Sequence, residues 1–246
     1  GFPEKIGGWQ RLGILSYLGT TRSLHPWRSL TGDRLVGIGT DVKYYVEEGG
    51  GYNDITPIRN VTAAGDVTFS ATDGSSTLQV SETGHGAVVG DFVTFSGAVS
   101  LGGTITADVL NQEYQVVAVV DTDTYQIEAR EADTSIVSIT VDGELAPTLV
   151  TANASDTGDG GASVVGTYQI NSGLETALFG TGWGAGFWSR GTWGSSANIN
   201  TLTSNIRIWS QDNFGEDLII NPRNGGIFYW DRSLSATTYQ RAVPLS

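Results

Sequence analysis

An offset of 183 residues lays one stretch of this chain over another. Residues 27–46 read W-R-S-L-T-G-D-R-L-V-G-I-G-T-D-V-K-Y-Y-V, and residues 209–230 read W-S-Q-D-N-F-G-E-D-L-I-I-N-P-R-N-G-G-I-F-Y-W. In each, a Trp precedes a polar turn containing Gly and Asp, then a short apolar strand, a second turn and an aromatic strand. Gly32 falls on Gly215, Leu35 on Leu218, and Tyr44-Tyr45 on Ile227-Phe228. What lies between is written in a different style. One repeat cannot bury its apolar face alone, so both copies are expected in a single body that an insert interrupts. That arrangement points to a structural or binding protein built from β blades rather than to an enzyme.

Composition and turn chemistry make the whole chain all-β. Glycine supplies 34 of the 246 residues, about twice the average share, and charged residues, at 16%, fall below the usual quarter. Few positions carry helical apolar spacing. Short runs rich in Val, Ile, Thr, Tyr and Phe recur instead, separated by Gly, Asp, Asn and Ser. In residues 1–59, strands are expected over 9–15, 22–30, 34–39, 42–47 and 53–58, with turns at 19–20, 31–33, 39–41 and 49–51. Four strands in about 45 residues match the size of one propeller blade. Residues 60–170 alternate apolar and polar over 67–69, 77–80, 92–95, 114–120, 125–128 and 136–141, the form of a small twisted barrel. The polar tract at 152–161, A-N-A-S-D-T-G-D-G-G, reads as a mobile loop or return linker. The expected fold is therefore a propeller-like scaffold of antiparallel blades, residues 1–59 and 171–246, interrupted by a small β-barrel or sandwich insert, residues 60–170. Removing the insert leaves about 135 residues, roughly three blades where propellers need at least four, so either neighbouring subunits complete the sheet edges or, the favoured expectation, the scaffold continues beyond residue 246.

Charge separates the same segments. Residues 60–170 hold 15 Asp or Glu against the single Arg130, while the rest holds 11 acidic and 12 basic residues. The net charge of −13 thus belongs to the insert. Gripping a nucleic-acid duplex needs clustered Lys and Arg, which are missing, whereas an acidic wall lets nucleic acid slide past without sticking. The chain has no Cys, which removes disulfides, thiolate catalysis and cysteine zinc sites. It has no run of about 18 apolar residues of the length that spans a bilayer as a helix.

Candidate chemistry is sparse. His25 and His85 are the only histidines, one before Pro26 in an apolar strand and one between two glycines, and structural roles are expected for both. The neighbouring carboxylates Glu47-Glu48 and Glu216-Asp217 face opposite sides of their strands, so they read as turn and edge solvation rather than a glycosidase pair. Asp33 and Asp217, each beside a Gly turn, read as turn residues. The D-T-G-D-G-G tract at 156–161 fails the calcium-loop pattern. No metal or cofactor is expected. Trp183, Phe187, Trp188 and Trp193, set among glycines in G-T-G-W-G-A-G-F-W-S-R-G-T-W-G-S-S, form the most interesting cluster. Four readings stay open for it: a subunit-interface anchor, a core plug beneath the blades, a sugar-stacking platform, or a loop at a membrane surface. Tyr44, Tyr45, Phe228, Tyr229 and Trp230 are expected as blade packing.

The phrases R-S-L-H-P-W-R-S-L-T-G-D-R-L-V-G-I-G-T-D-V-K-Y-Y-V, G-G-G-Y-N-D-I-T-P-I-R, G-W-G-A-G-F-W-S-R-G-T-W-G and I-R-I-W-S-Q-D-N-F-G-E-D-L-I-I-N-P-R-N-G-G-I-F-Y-W-D resemble tail proteins of tailed bacteriophages. The pattern is similar to the β-propeller-bearing nozzle or hub proteins of short tails. The insert, G-D-F-V-T-F-S-G followed by Y-Q-V-V-A-V-V-D-T-D-T-Y-Q-I, is similar to small β modules spliced into phage tail and virion proteins. The resemblance implies a structural virion protein of the tail, without catalytic residues. It implies a homo-oligomeric ring lining the DNA ejection channel, through which DNA passes without specific binding. Other tail proteins (an adaptor, a tail fibre or a spike) and the host envelope are the partners it implies. Trp183, Phe187, Trp188 and Trp193 are the assembly candidates. The alternative is a carbohydrate-binding or host-recognition module, followed by a glycan-cleaving enzyme.

Overall fold

A computed structural model of the protein describes residues 17–132, 148–171, 207–235 and 239–245. Their strands form four antiparallel sheets of four strands each. The first sheet is β1 (Thr21–Arg28), β2 (Arg34–Thr40), β3 (Tyr44–Glu48) and β4 (Gly51–Asp54), paired in chain order. The chain then builds β5 (Ile58–Val61), β6 (Thr68–Ala71), β7 (Thr77–Ser81), β8 (Phe92–Ser96), a short helix α1 (Ala107–Leu110), β9 (Glu113–Gln115), β10 (Ala118–Val119), β11 (Thr124–Glu128) and β12 (Val165–Gln169). These make two sheets, ordered β10-β11-β7-β6 and β5-β12-β8-β9. The last sheet is β13 (Trp209–Phe214), β14 (Asp217–Pro222), β15 (Phe228–Trp230) and β16 (Val243–Pro244), again in chain order.

Turn chemistry sets the two meanders. Gly49 and Gly50 both have positive φ, 61° and 90°, and join β3 to β4 by a two-residue hairpin whose twist matches the strands. Gly215, at φ 68°, opens the two-residue turn between β13 and β14. At the β2–β3 corner the Thr40 hydroxyl accepts the Lys43 N–H at 2.8 Å, a local bond of the kind that favours a turn over continued strand.

The repeat shares one core. Trp27, Leu35, Tyr44 and Val46 from the first sheet, with Ile55 just after it, are buried with Trp209, Leu218, Ile220, Phe228 and Trp230 from the last. The Trp209 indole donates to the Thr40 carbonyl at 2.7 Å, and the Trp27 indole to the Glu216 carbonyl at 2.9 Å. Gly39 makes room for the first of these, since a Cβ there would lie 2.6 Å from Trp209 Cδ1. Leu35 and Leu218 thus meet in one body, as the offset expected. Two finer matches shift. Two residues beyond those leucines, Gly37 faces Val46 and Ile220 faces Phe228. Phe228 therefore stands where Val46 stands, not where Tyr45 does, and a one-residue slip reverses the face of a strand residue. Trp27 sits by its turn, opposite Leu35, whereas Trp209 sits at the far end of its hairpin, opposite Pro222.

A second buried cluster, including Phe69, Val80, Phe95, Tyr125, Ile127 and Tyr168, lies between the two middle sheets. Neither sheet closes, so of the barrel or sandwich expected for the insert the closed barrel is not formed, and an open pair of sheets packs around one core. The chain crosses edge to edge from β5 to β6 and from β9 to β10 with no strand pairing across those gaps. The strand expected over 114–120 is split for that reason. Tyr114 pairs with Val93 in one sheet, Val119 with Tyr125 in the other, and buried Val116 marks the corner. The strand expected over 53–58 is also split. Pro57 lacks an N–H for a ladder, and the chain there leaves the first sheet and enters β5. Helix α1, which the sequence reading did not anticipate, is capped by Thr106 and by Asn111, whose amide bonds the Ala98 and Ala107 carbonyls. The strands expected over 9–15 and 136–141 lie outside the described residues.

The tract at 152–161 is pinned rather than mobile. The Asp156 carboxylate accepts the N–H groups of Gly103 (2.8 Å), Thr104 (3.1 Å), Ile105 (3.0 Å) and Asn153 (2.8 Å), and the Thr104 hydroxyl at 2.9 Å. Burial alone would push this acid up, but the donors together hold it below its usual value of 3.8. Asp156→Ala is expected to cost on the order of 3 kcal/mol, because it removes the shared acceptor of five donors at once, the buried Ile105 N–H among them. The wild-type contribution is present above pH 3.8 and lost as pH falls through the lowered folded value. Urea titrations of both chains at neutral and acid pH check this: the gap should close in acid.

Candidate functional site

The assembly candidates Trp183, Phe187, Trp188 and Trp193 lie outside the described residues. The blade aromatics divide by strand face. Tyr44, Phe228 and Trp230 enter the shared core. Tyr45 turns the other way, its ring 5.8 Å from that of Tyr17, and the Tyr229 hydroxyl donates to Asp217.

The histidines and carboxylates act as cross-links. The His25 ring stacks on Trp27 at 5.8 Å, with Nε2 3.2 Å from Asn213 Oδ1. His85 is buried, accepts the Ala87 N–H on Nδ1 at 2.9 Å, and therefore donates from Nε2 to the Asp121 carbonyl at 3.1 Å. Glu47 caps Gly50, whereas Glu48 takes Arg232 and the Tyr239 hydroxyl. Glu216 takes the Leu30 N–H, and Asp217 the Arg232 N–H at 2.9 Å. Asp33, expected as a turn residue, binds Thr31 and Ser29 in its turn and lies 3.7 Å from Arg232. Several of these bonds tie the first sheet to the last, which reading each carboxylate pair by itself does not reveal. Among the described residues no group of three His, Asp or Glu is placed to hold a metal ion.

The sequence reading missed the joint between scaffold and insert. Lys43, 3% exposed, donates from Nζ to Asp54 at 2.7 Å and to Glu113, and lies 4.7 Å from the centre of the Phe92 ring. Arg241 reaches Asp54 and approaches Glu113 at 3.9 Å, while the Gln169 amide donates to Glu113. Two cations and two carboxylates thus bind β3, β4, β9, β12 and the approach to β16 at one point. Burial pushes Asp54 up, yet Lys43, Arg241 and the bonds from Lys43 and Thr56 hold it below its usual value of 3.8. The Lys43 ammonium has no room to act as a nucleophile or base. This is a clamp.

A second polar group fills the insert core. The Tyr168 hydroxyl donates to buried Glu82 and lies 2.7 Å from the Tyr125 hydroxyl, while Arg59 covers the Tyr168 ring at 5.0 Å and pairs with Asp91 at 3.2 Å. Burial raises Glu82 above its usual value of 4.5, outweighing the lowering by the Tyr168 hydrogen bond and the Arg59 charge. The folded protein therefore holds this proton more tightly, and stability from this group falls as pH rises from 4.5 through the raised value. Glu82→Gln keeps an acceptor for Tyr168 and should match or exceed wild-type stability at pH 7. Denaturation midpoints across that window should lose the slope that wild type shows.

On the outward face of β13 and β14, Ile208, Ser210, Asn221, Arg223 and Asn224 line a shallow cavity of about 320 Å³.

No protein-family model matches the chain, and no curated protein matches it. Among solved structures, the phage phi92 endosialidase is similar over 85% of this chain at 14% identity, with a TM-score of 0.26. The chain spans 27% of that protein's length. A likeness of this strength assigns neither fold nor activity.

Proposed function

We propose that the chain is a structural subunit of a bacteriophage tail virion, a nozzle or hub ring component lining the DNA ejection channel. Residues 1–59 and 171–246 form the propeller-like scaffold domain, and residues 60–170 the inserted one. The observation that carries the reading is the split core. Segments on either side of the insert, which resemble tail proteins in sequence, pack Tyr44 against Trp209 and Trp27 against Trp230. Rigid meanders with a clamped insert suit a part that transmits load and shapes a passage, and the acidic surplus of the insert suits a wall that does not retain DNA. In this reading copies join as a homo-oligomeric ring, contact the adaptor, fibre or spike of the tail, and meet the host envelope. The role is structural rather than catalytic.

Electron microscopy of the assembled particle tests this. A closed ring of copies around a central channel is expected. Copies scattered along a fibre, or confined to its tip, contradict it. The second reading, a carbohydrate-binding or host-recognition module, draws on the open polar cavity around Arg223. Glycan-array binding lost in Arg223→Ala, in a chain that forms no ring, would favour it.

A further inference from the structure

Arg28 and Arg34 stand directly opposite each other on β1 and β2. Side chains so placed lie about 5 Å apart at Cβ, and like charges there destabilise a sheet. Both are exposed, and neither side chain makes an ion pair or hydrogen bond among the described residues. The nearby acids are committed elsewhere: Asp33 to Thr31, Ser29 and Arg232, and Glu216 to the Leu30 N–H. Leu30, 90% exposed, lies two residues beyond Arg28, and Leu24, 62% exposed, lies four residues before it on the same face of β1. A bare cation pair flanked by uncovered leucines asks for a partner that is both anionic and apolar.

The insert offers that complement. On and around its edge strand β10, Val117, Val119 and Val120 are exposed at 41%, 39% and 53%, next to exposed Asp121 and Asp123 in the following turn. Neither aspartate pairs with a cation among the described residues; their bonds are to the Asp123 and Gly84 N–H groups. We propose that the Arg28–Arg34 face of one copy docks on the β10 edge of a second copy's insert, a head-to-tail contact. Two different patches that meet this way generate a ring when the rotation closes. The proposal deepens the ring reading above and rests on it. Nucleic acid fits the face less well, because a phosphate backbone leaves the leucines uncovered and the chain's charge of −13 opposes its approach.

The test is self-association of the full chain, by analytical ultracentrifugation at low and high salt, with near-UV circular dichroism showing each variant folded. Wild type should associate, and less so at high salt. R28E/R34E and, separately, D121K/D123K should each weaken association about tenfold or more, as desolvated interfacial charges of the wrong sign do. Combining all four changes should restore it. A monomeric wild type overturns the proposal, as does an R28E/R34E chain that associates like wild type, or one that loses only duplex DNA binding. If R28E/R34E still forms wild-type rings under the microscope, the contact is misplaced and the ring reading stands. If the charge swap restores association but the particle shows no channel, the contact stands and the ring reading falls.

Discussion

Trp230→Ala should unfold the scaffold more readily than any other single truncation in the shared core. The side chain is fully buried, stacked on Tyr239 with ring centres 5.8 Å apart and edge-on to Trp27 at 6.4 Å. Removing a buried Trp costs about 3–5 kcal/mol, transfer and cavity terms together. That is a large share of the 5–15 kcal/mol typical of a native protein. Trp230→Phe should cost far less than this. The buried Nε1 has no hydrogen-bond partner among the described residues, so the replacement removes an unsatisfied donor while keeping most of the packing. Denaturant midpoints of the two variants check both statements. Near-equal losses would mean that the indole nitrogen has a partner, or that the site collapses around Ala.

Lys43→Met is expected to cost about 3–5 kcal/mol, the range for removing one member of a buried ion pair. The methionine keeps most of the apolar stem beside Phe92 but leaves Asp54 and Glu113 sharing Arg241 alone. The pH dependence follows from the sign of the Asp54 shift. Its folded value is lowered, so its stabilisation is present above pH 3.8 and fades as pH falls through the folded value. Without Lys43 the folded value rises, and acid unfolding should begin at higher pH. Replacing Lys43, Asp54 and Glu113 together by apolar residues of similar volume should recover most of the single-variant loss, since a well-packed apolar group often equals a buried salt bridge. If the triple variant is stable but scaffold and insert then move independently in small-angle scattering, the clamp serves orientation rather than stability.

The scaffold was largely legible in the sequence, because its turns carry their own chemistry. Gly49-Gly50 and Gly215 announce hairpins, and Leu35 and Leu218 follow their turns at matching distances. What pattern reading misses is register and corners. Large apolar pairs such as Tyr44-Tyr45 and Ile227-Phe228 look alike in either register, and only cross-strand pairing decides which side chain faces inward. Val116 opens the apolar run at 116–120, yet it is where the chain passes from one sheet to the other. The clamp was illegible for a different reason. Lys43, Asp54, Glu113, Gln169 and Arg241 come from five separate places in the chain, and each alone reads as a solvated strand residue. Asp156 misled because a Gly-rich polar tract usually marks freedom, whereas here its carboxylate is held by backbone N–H groups some fifty residues away, where Gly103 leaves room for it.

The central claim is that segments on either side of the insert fold as one body around one core. A double-mutant cycle on Tyr44 and Trp209 tests it most directly. Their rings meet edge-on at 5.0 Å, although 165 residues separate them. Tyr44→Leu, Trp209→Leu and the double variant should show a coupling of about 0.5–1.5 kcal/mol, the range for such aromatic pairs. Losses that simply add, within about 0.3 kcal/mol, would place the two halves in separate bodies.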